Sequence, residues 1–225
     1  MKCQYNEFNN NEFEVHQLVL GLIKNNSRVL DVGCATGCFA RELLKKKCEV
    51  WGLDYNKKAI AKAVRFCKKA SVVDLNESAT LPVPKKHFDF VILLDVIEHL
   101  LYPEKVLSLI KAYLKNEGAI IVSTPNIVHA SIRWMIIKGE FKYTKLGILD
   151  SSHLHFYTRT SFSDLIKKAN FRTPKIIPTN GMTKVPILSK ISDQFPESWQ
   201  YWLVKKIPEL FSYQFIAVAK VAKSA

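Results

Sequence analysis

No run of about 18 or more apolar residues occurs in this chain of 225 residues, so a membrane-spanning helix is not expected. Cysteine is limited to five residues, an odd number without C-x-x-C spacing, which argues against a disulfide framework and a zinc site. Cys34 and Cys38 then read as small, reduced core residues, and a reducing cytoplasm is the expected compartment. The opening stretch MKCQYNEFNNNEF is polar and carries no apolar signal-peptide region. A complete G-x-G-x-x-G is missing, and so is Gly-Lys-Ser/Thr; this removes the dinucleotide fingerprint and the phosphate loop. Acidic residues are outnumbered, 20 against 33 basic, for a net charge of +13. Such a balance suits an anionic partner: RNA, an acidic glycan or a membrane surface. There is no RGG or lysine-rich tail, and the Lys pairs and triplets at 45–47, 57–58 and 68–69 fall at expected helix ends or starts, where they decorate solvated faces.

The chain is organised around residues 28–40, RVLDVGCATGCFA. An apolar run, Val29 and Leu30, ends in Asp31; small residues Gly33, Cys34, Ala35 and Gly37 follow, then an expected helix. This reads as strand, tight turn and helix. Small residues let a ligand approach the backbone, and the helix start offers unpaired N–H groups. A carboxylate at the strand end repels a pyrophosphate and suits a ligand with positive charge. Asp54 closes the next apolar segment, CEVWGLD, about twenty residues on, the spacing at which an acid reaches a ribose diol.

These features resemble motifs one and two of the class I S-adenosylmethionine-dependent methyltransferases, with alanine at 35 where glycine is usual. The resemblance implies an α/β, doubly wound, Rossmann-like sheet of seven mostly parallel strands, the last antiparallel, with an insertion after strand five capping the active site. It implies S-adenosylmethionine bound by Asp31, Gly33, Cys34, Ala35 and Gly37 at the methionine end, Asp54 with Tyr55 at the ribose, and Asp74 with Leu75 near the adenine, with Asp95 also among the cofactor-binding residues.

The rest of the chain agrees with one domain over 1–225. Apolar spacing predicts a helix over 12–24, which Tyr5 and Phe8 could join, and further helices over 37–46 and 57–69. Strands are expected at 48–53, 71–73 and 88–94, the last ending at Asp95. Pro103 opens a helix that Gly118 would follow. Strands near 119–125, 172–177 and 212–221 complete the alternation of a doubly wound sheet. Asp31, Asp54, Asp74 and Asp95 all fall at carboxyl ends, where such sheets bind ligands. Two segments, 126–158 and 178–208, break the pattern as cap or insertion. In the first, an apolar helix over 127–137 would turn Trp134 and Met135 to a pocket or the core. Of His153 and His155, carried by an extended piece, at most one is expected to reach the site. Thr160 or Ser161 caps a helix that Asn170 stops. In the second, Trp199, Tyr201, Trp202 and Leu203 with Lys205 and Lys206 form an interfacial patch or pack on the fold.

Methyl transfer to a hydroxyl needs an aligned acceptor and a proton acceptor, and histidine suits the second task near neutral pH. His99 and His155 are the candidates. The run GEFKYTKLGILDSSHLHFYTRTSF resembles methyltransferases found among glycan-assembly enzymes, through Gly139, Phe141, Tyr143, Gly147, Leu149, Asp150, His153, Phe156, Tyr157 and Thr158. That implies O-methylation of a sugar or another small hydroxylated acceptor. D-V-I-E-H with a later H-x-H-F is also similar to the small-RNA 2′-O-methyltransferases, whose pattern would place a divalent metal at Glu98, His99 and His155; Asp95 there replaces a glutamate. A metal is not expected to be required. The alternatives are an RNA ribose methyltransferase and a non-catalytic cofactor-binding protein. Peripheral membrane contact and the oligomeric state stay open.

Overall fold

The computed structural model describes residues 8–185 and 194–222. Tyr5 lies outside them. The strands are β1 (Arg28–Val32), β2 (Glu49–Asp54), β3 (Lys69–Val72), β4 (Phe88–Leu93), β5 (Leu114–Pro125), β6 (Lys175–Asn180) and β7 (Ser212–Lys220). The helices are α1 (Val15–Leu22), α2 (Cys38–Lys45), α3 (Lys57–Ala63), α4 (Pro103–Ile110), α5 (Ala130–Ile137), α6 (Arg159–Lys168), α7 (Glu197–Lys206) and α8 (Pro208–Phe211).

The strands form one sheet in the order β3-β2-β1-β4-β5-β7-β6. β1 pairs parallel with β2 and β4, and β4 with β5; β7 runs antiparallel to both β5 and β6. The expected α/β sheet with an antiparallel last strand is present. Central strands are covered on both faces, which is why they read as continuous apolar runs. Alternate residues serve opposite layers: Leu30, Val32, Leu53 and Leu93 enter one core with α4 and α6, while Val29, Val50 and Ile92 enter the other with α1 and α2. Ile92 is fully buried, and its truncation to alanine is expected to cost about 2–5 kcal/mol. Phe8, which the sequence left open, packs on α1 and α2, stacking on His16 and Phe39.

Several boundaries differ from the sequence reading. α3 stops at Ala63, because the chain must turn before β3 starts at Lys69. The helix from Pro103 ends at Ile110 and tightens into a 3-10 turn, Lys111–Tyr113; Gly118 then lies inside β5, not past a helix. A Cβ on Gly118 would sit 2.9 Å from the Phe88 carbonyl, so glycine serves close approach of β4 and β5. Thr158, not Thr160 or Ser161, caps α6, in a reciprocal box with Ser161; Asn170 stops it with φ +62. In α5, Ile132 is buried but Trp134 is exposed, so Trp134 does not face a core. α7 divides its aromatics: Tyr201 is buried against Phe13, while Trp199 and Trp202 are exposed. No helix among the described residues is long and apolar enough to cross a membrane.

Candidate active site

The turn after β1 is built from main-chain contacts to the end of β2. Gly33 and Cys34 donate their N–H groups to the Leu53 carbonyl at 2.7 and 3.0 Å. Gly33 has φ +79, and a Cβ there would collide with the Val96 side chain. Ala35 also adopts a left-handed conformation, φ +46, and donates its N–H to Asp54 Oδ2 at 2.8 Å. Asp54 Oδ1 accepts from the Asn56 N–H, and Asn56 in turn caps α3. Gly37, φ +80, starts α2 within 3.1 Å of the Ala63 Cα as measured from an added Cβ. Asp31 is buried, and its Oδ2 has no hydrogen-bond partner. Burial, with the Asp54 charge adding to it, pushes the Asp31 carboxyl up to about 7. Burial likewise raises the Cys34 thiol, consistent with an unreactive core residue. Tyr55 is largely exposed beside Asp54. At the end of β3, Asp74 is exposed and closes a turn onto the Asn76 N–H, while Leu75 packs on the core.

These features fit an aminoalkyl sulfonium. Among the described residues the buried Asp31 Oδ2 has no hydrogen-bond partner, which leaves that oxygen to a cationic group of a ligand.

Asp95, the fourth acid of the expected rim, is held by side chains of other strands. Ser123 donates its hydroxyl to Oδ1 at 2.7 Å, and the Gln214 amide reaches both carboxylate oxygens at 2.7 Å. The carboxylate is thus held by β5 and β7, with the backbone at φ +55. It lines a second cavity of about 270 Å³, together with Glu98, Pro125, His153, Lys184 and Tyr213 among others. Val96, the next residue, packs on Gly33, so this cavity begins one residue from the turn. A larger cavity of about 430 Å³, with Lys86, Lys111, Lys115 and Arg172, lies at the opposite end of the strands and is remote from this chemistry.

The histidines sort differently from expectation. Ligand atoms of Glu98, His99 and His153 lie within 4.8 Å of one another, and the rings of His99 and His153 are 4.7 Å apart. His155 is not in this group; its ring lies beside Tyr157, and its N–H donates to the Glu98 carbonyl. Residues two apart share a face in extended chain, so alternation does not separate His153 from His155; a turn closed by the His153 N–H on the Asp150 carbonyl does, and His153 is the buried one of the two. His153 Nδ1 sits 3.0 Å from the Ile148 carbonyl, which only an N–H can satisfy, so Nε2 carries the lone pair. Burial lowers the His153 pKa, keeping it neutral near physiological pH. His99 Nδ1 faces Ser152.

Glu98 is 1% exposed, and neither carboxylate oxygen has a hydrogen-bond partner. Burial, reinforced by Asp95, raises its carboxyl well above the usual range, although the adjacent Thr124 hydroxyl acts the other way. A buried, unpaired anion is costly, which favours the protonated form of Glu98 unless a cation joins it. One carboxylate and two imidazoles could hold a divalent cation of the magnesium, manganese or iron type. Gln214, Lys184, Tyr213 and His153 were missed as site residues. His153 had a signal in the 139–158 pattern, and Gln214 left one as a polar residue inside the apolar strand SYQFIAVAK.

A family model described as a methyltransferase domain matches residues 6–175. A ubiquinone biosynthesis O-methyltransferase of Dechloromonas aromatica (strain RCB) is 24% identical over 169 residues, 73% of this chain and 72% of that protein. A solved S-adenosylmethionine-dependent methyltransferase from Archaeoglobus fulgidus has a TM-score of 0.61 at 23% identity, covering 93% of this chain and 96% of its own. Haemonchus contortus phosphoethanolamine N-methyltransferase 2, solved with S-adenosyl-L-methionine, has a TM-score of 0.57 at 18% identity over 91% of this chain and 51% of its own. Those relatives span oxygen and nitrogen acceptors, so the shared fold leaves the acceptor to local chemistry. With three quarters of its length inside the matched model and the expected sheet order, the chain belongs to the methyltransferase-domain family.

Proposed function

We propose that the chain transfers a methyl group from S-adenosylmethionine to a hydroxyl of a small acceptor, a sugar being the acceptor class that the 139–158 pattern favours. The cofactor supplies an electrophilic methyl on a sulfonium. Asp31 faces its ammonium, Asp54 its ribose diol, and Asp74 with Leu75 its adenine; Gly33, Cys34, Ala35 and Gly37 form the floor, with Tyr55 alongside. The acceptor occupies the cavity between Asp95, Glu98 and His153. His153 Nε2 takes the hydroxyl proton, a role worth about 10²–10⁴ in rate for a well-placed base. Protonated Glu98 then donates a hydrogen bond to the acceptor. The observation that carries this reading is the placement of a neutral, oriented imidazole in a cavity one residue from the cofactor turn.

The test is transfer of labelled methyl to a panel of sugars and phenolic acids. His153→Ala is expected to lose turnover while binding cofactor normally by titration calorimetry. His155→Ala is expected to keep turnover. The reverse pattern would reject His153 as the base. Unchanged cofactor affinity in Asp54→Ala would reject the ribose role.

One observation favours a second reading. The convergence of Glu98, His99 and His153 suits a divalent cation beside a sugar hydroxyl, and with a net charge of +13 the acceptor would be RNA ribose. RNA binding that weakens steeply with salt, and metal-dependent transfer, would select it.

A further inference from the structure

We infer that residues 133–146 form a docking surface for an anionic lipid bilayer. Ile132 at one end, and Ile148 with Leu149 at the other, are buried in a common cluster against Tyr213. The Thr144 N–H closes on the Leu149 carbonyl at 2.8 Å. Between these anchors the chain projects outward. Arg133, Trp134 and every residue from 136 to 146 are exposed. Among them Trp134, Ile136, Ile137, Phe141, Tyr143 and Leu146 show 40–76% of their surface.

A fold with fully buried strands on both sheet faces has no packing reason to leave six large apolar side chains on one short segment. Exposed apolar patches of this kind mark an interaction surface. The charges identify the partner. Arg133, Lys138, Lys142 and Lys145 are interleaved with the apolar residues, against a single acid, Glu140. Glu140 is drawn to Lys142 at 3.4 Å, and the Lys138 ammonium lies over the Trp134 ring. Protein interfaces are depleted of lysine at their apolar centres. A bilayer interface accepts both components: apolar and aromatic groups enter the headgroup boundary while lysines snorkel to anionic phosphates. Leu146 belongs both to this surface and to the wall of the cavity that holds His153. Docking would therefore set the cavity beside the lipid, which bears on the acceptor only if the proposed function holds.

The experiment is co-sedimentation of the full chain with phosphatidylcholine vesicles with and without phosphatidylglycerol. Binding to the anionic vesicles, weakened by salt, is expected. Trp134→Ser/Ile137→Ser/Phe141→Ser is expected to lower that binding about tenfold or more. Its melting temperature and its calorimetric affinity for S-adenosylmethionine should not change, since the three side chains are exposed. Absence of wild-type binding, or equal binding by the variant, would overturn the inference. So would loss of binding from Trp199→Ser/Trp202→Ser alone, or a dimer in sedimentation velocity that the triple variant dissolves. Failure of methyl transfer to every soluble acceptor tried, with vesicle binding intact, would count against the proposed function and not against docking.

Discussion

Gln214 donates its side-chain amide to both carboxylate oxygens of Asp95, at 2.7 Å each, and ties the end of β4 to the antiparallel strand β7. Asp95 has φ +55, a conformation that an aspartate keeps only when its surroundings hold it.

Releasing that hold should loosen the acceptor cavity and leave the cofactor turn alone. Gln214→Ala is expected to lower turnover by about tenfold, the scale of one lost charge-assisted hydrogen bond. The affinity for S-adenosylmethionine should stay the same. Steady-state kinetics with calorimetry separates the two; an equal loss of cofactor affinity would return Asp95 to the cofactor rim.

Asp31 gives a pH signature. Its carboxyl is raised from 3.8 to about 7 by burial and by Asp54. A raised acid favours the folded state below its unfolded pKa, and that contribution is lost as pH climbs toward about 7. A cationic ligand favours the ionised form. Cofactor affinity should therefore rise with pH between about 5 and 7 and then level off. Asp31→Asn should flatten the slope, as calorimetry across that range would read.

Ala35 sits at φ +46, where a Cβ costs about 1–2 kcal/mol. Glycine removes that strain but gives back about 0.5–1 kcal/mol in chain entropy. The strain term is the larger, so Ala35→Gly should stabilise the protein by roughly 0.5–1 kcal/mol. Urea unfolding measures it; destabilisation would mean that the Asp54 bond to the Ala35 N–H carries more than the turn geometry suggests.

Glu98 discriminates the two readings of the acceptor site. Treatment with a chelator should leave turnover unchanged, and Glu98→Gln, which keeps a neutral donor of the same shape, should retain most of it. Loss of activity on chelation, restored by manganese or magnesium, would select the cation at Glu98, His99 and His153.

The fold was legible wherever one rule governed a segment. β1, β2 and β4 are largely buried, so their apolar runs marked the strands; Asp54 ends β2, while Asp31 lies inside β1 and Asp95 two residues past β4. Gly118 misled because a glycine that permits close strand approach looks, in sequence, like one that ends a helix. Alternation could not choose between His153 and His155, because residues two apart share a face in extended chain; the turn over 150–153, fixed by Asp150 and Ser152, separates them. Gln214 lies 119 positions from Asp95, and no local pattern could have paired them.

The Glu98 carbonyl accepts from both the Leu154 and His155 N–H groups, at 2.8 and 3.1 Å. The segment carrying the imidazole is thereby riveted to the turn that carries the buried acid. Opening the cavity by swinging that segment away would break two main-chain bonds at once. If the proposed function holds, the acceptor is expected to enter past Leu146, which is exposed and lines the cavity, and the bulk tolerated there should set which molecules are admitted.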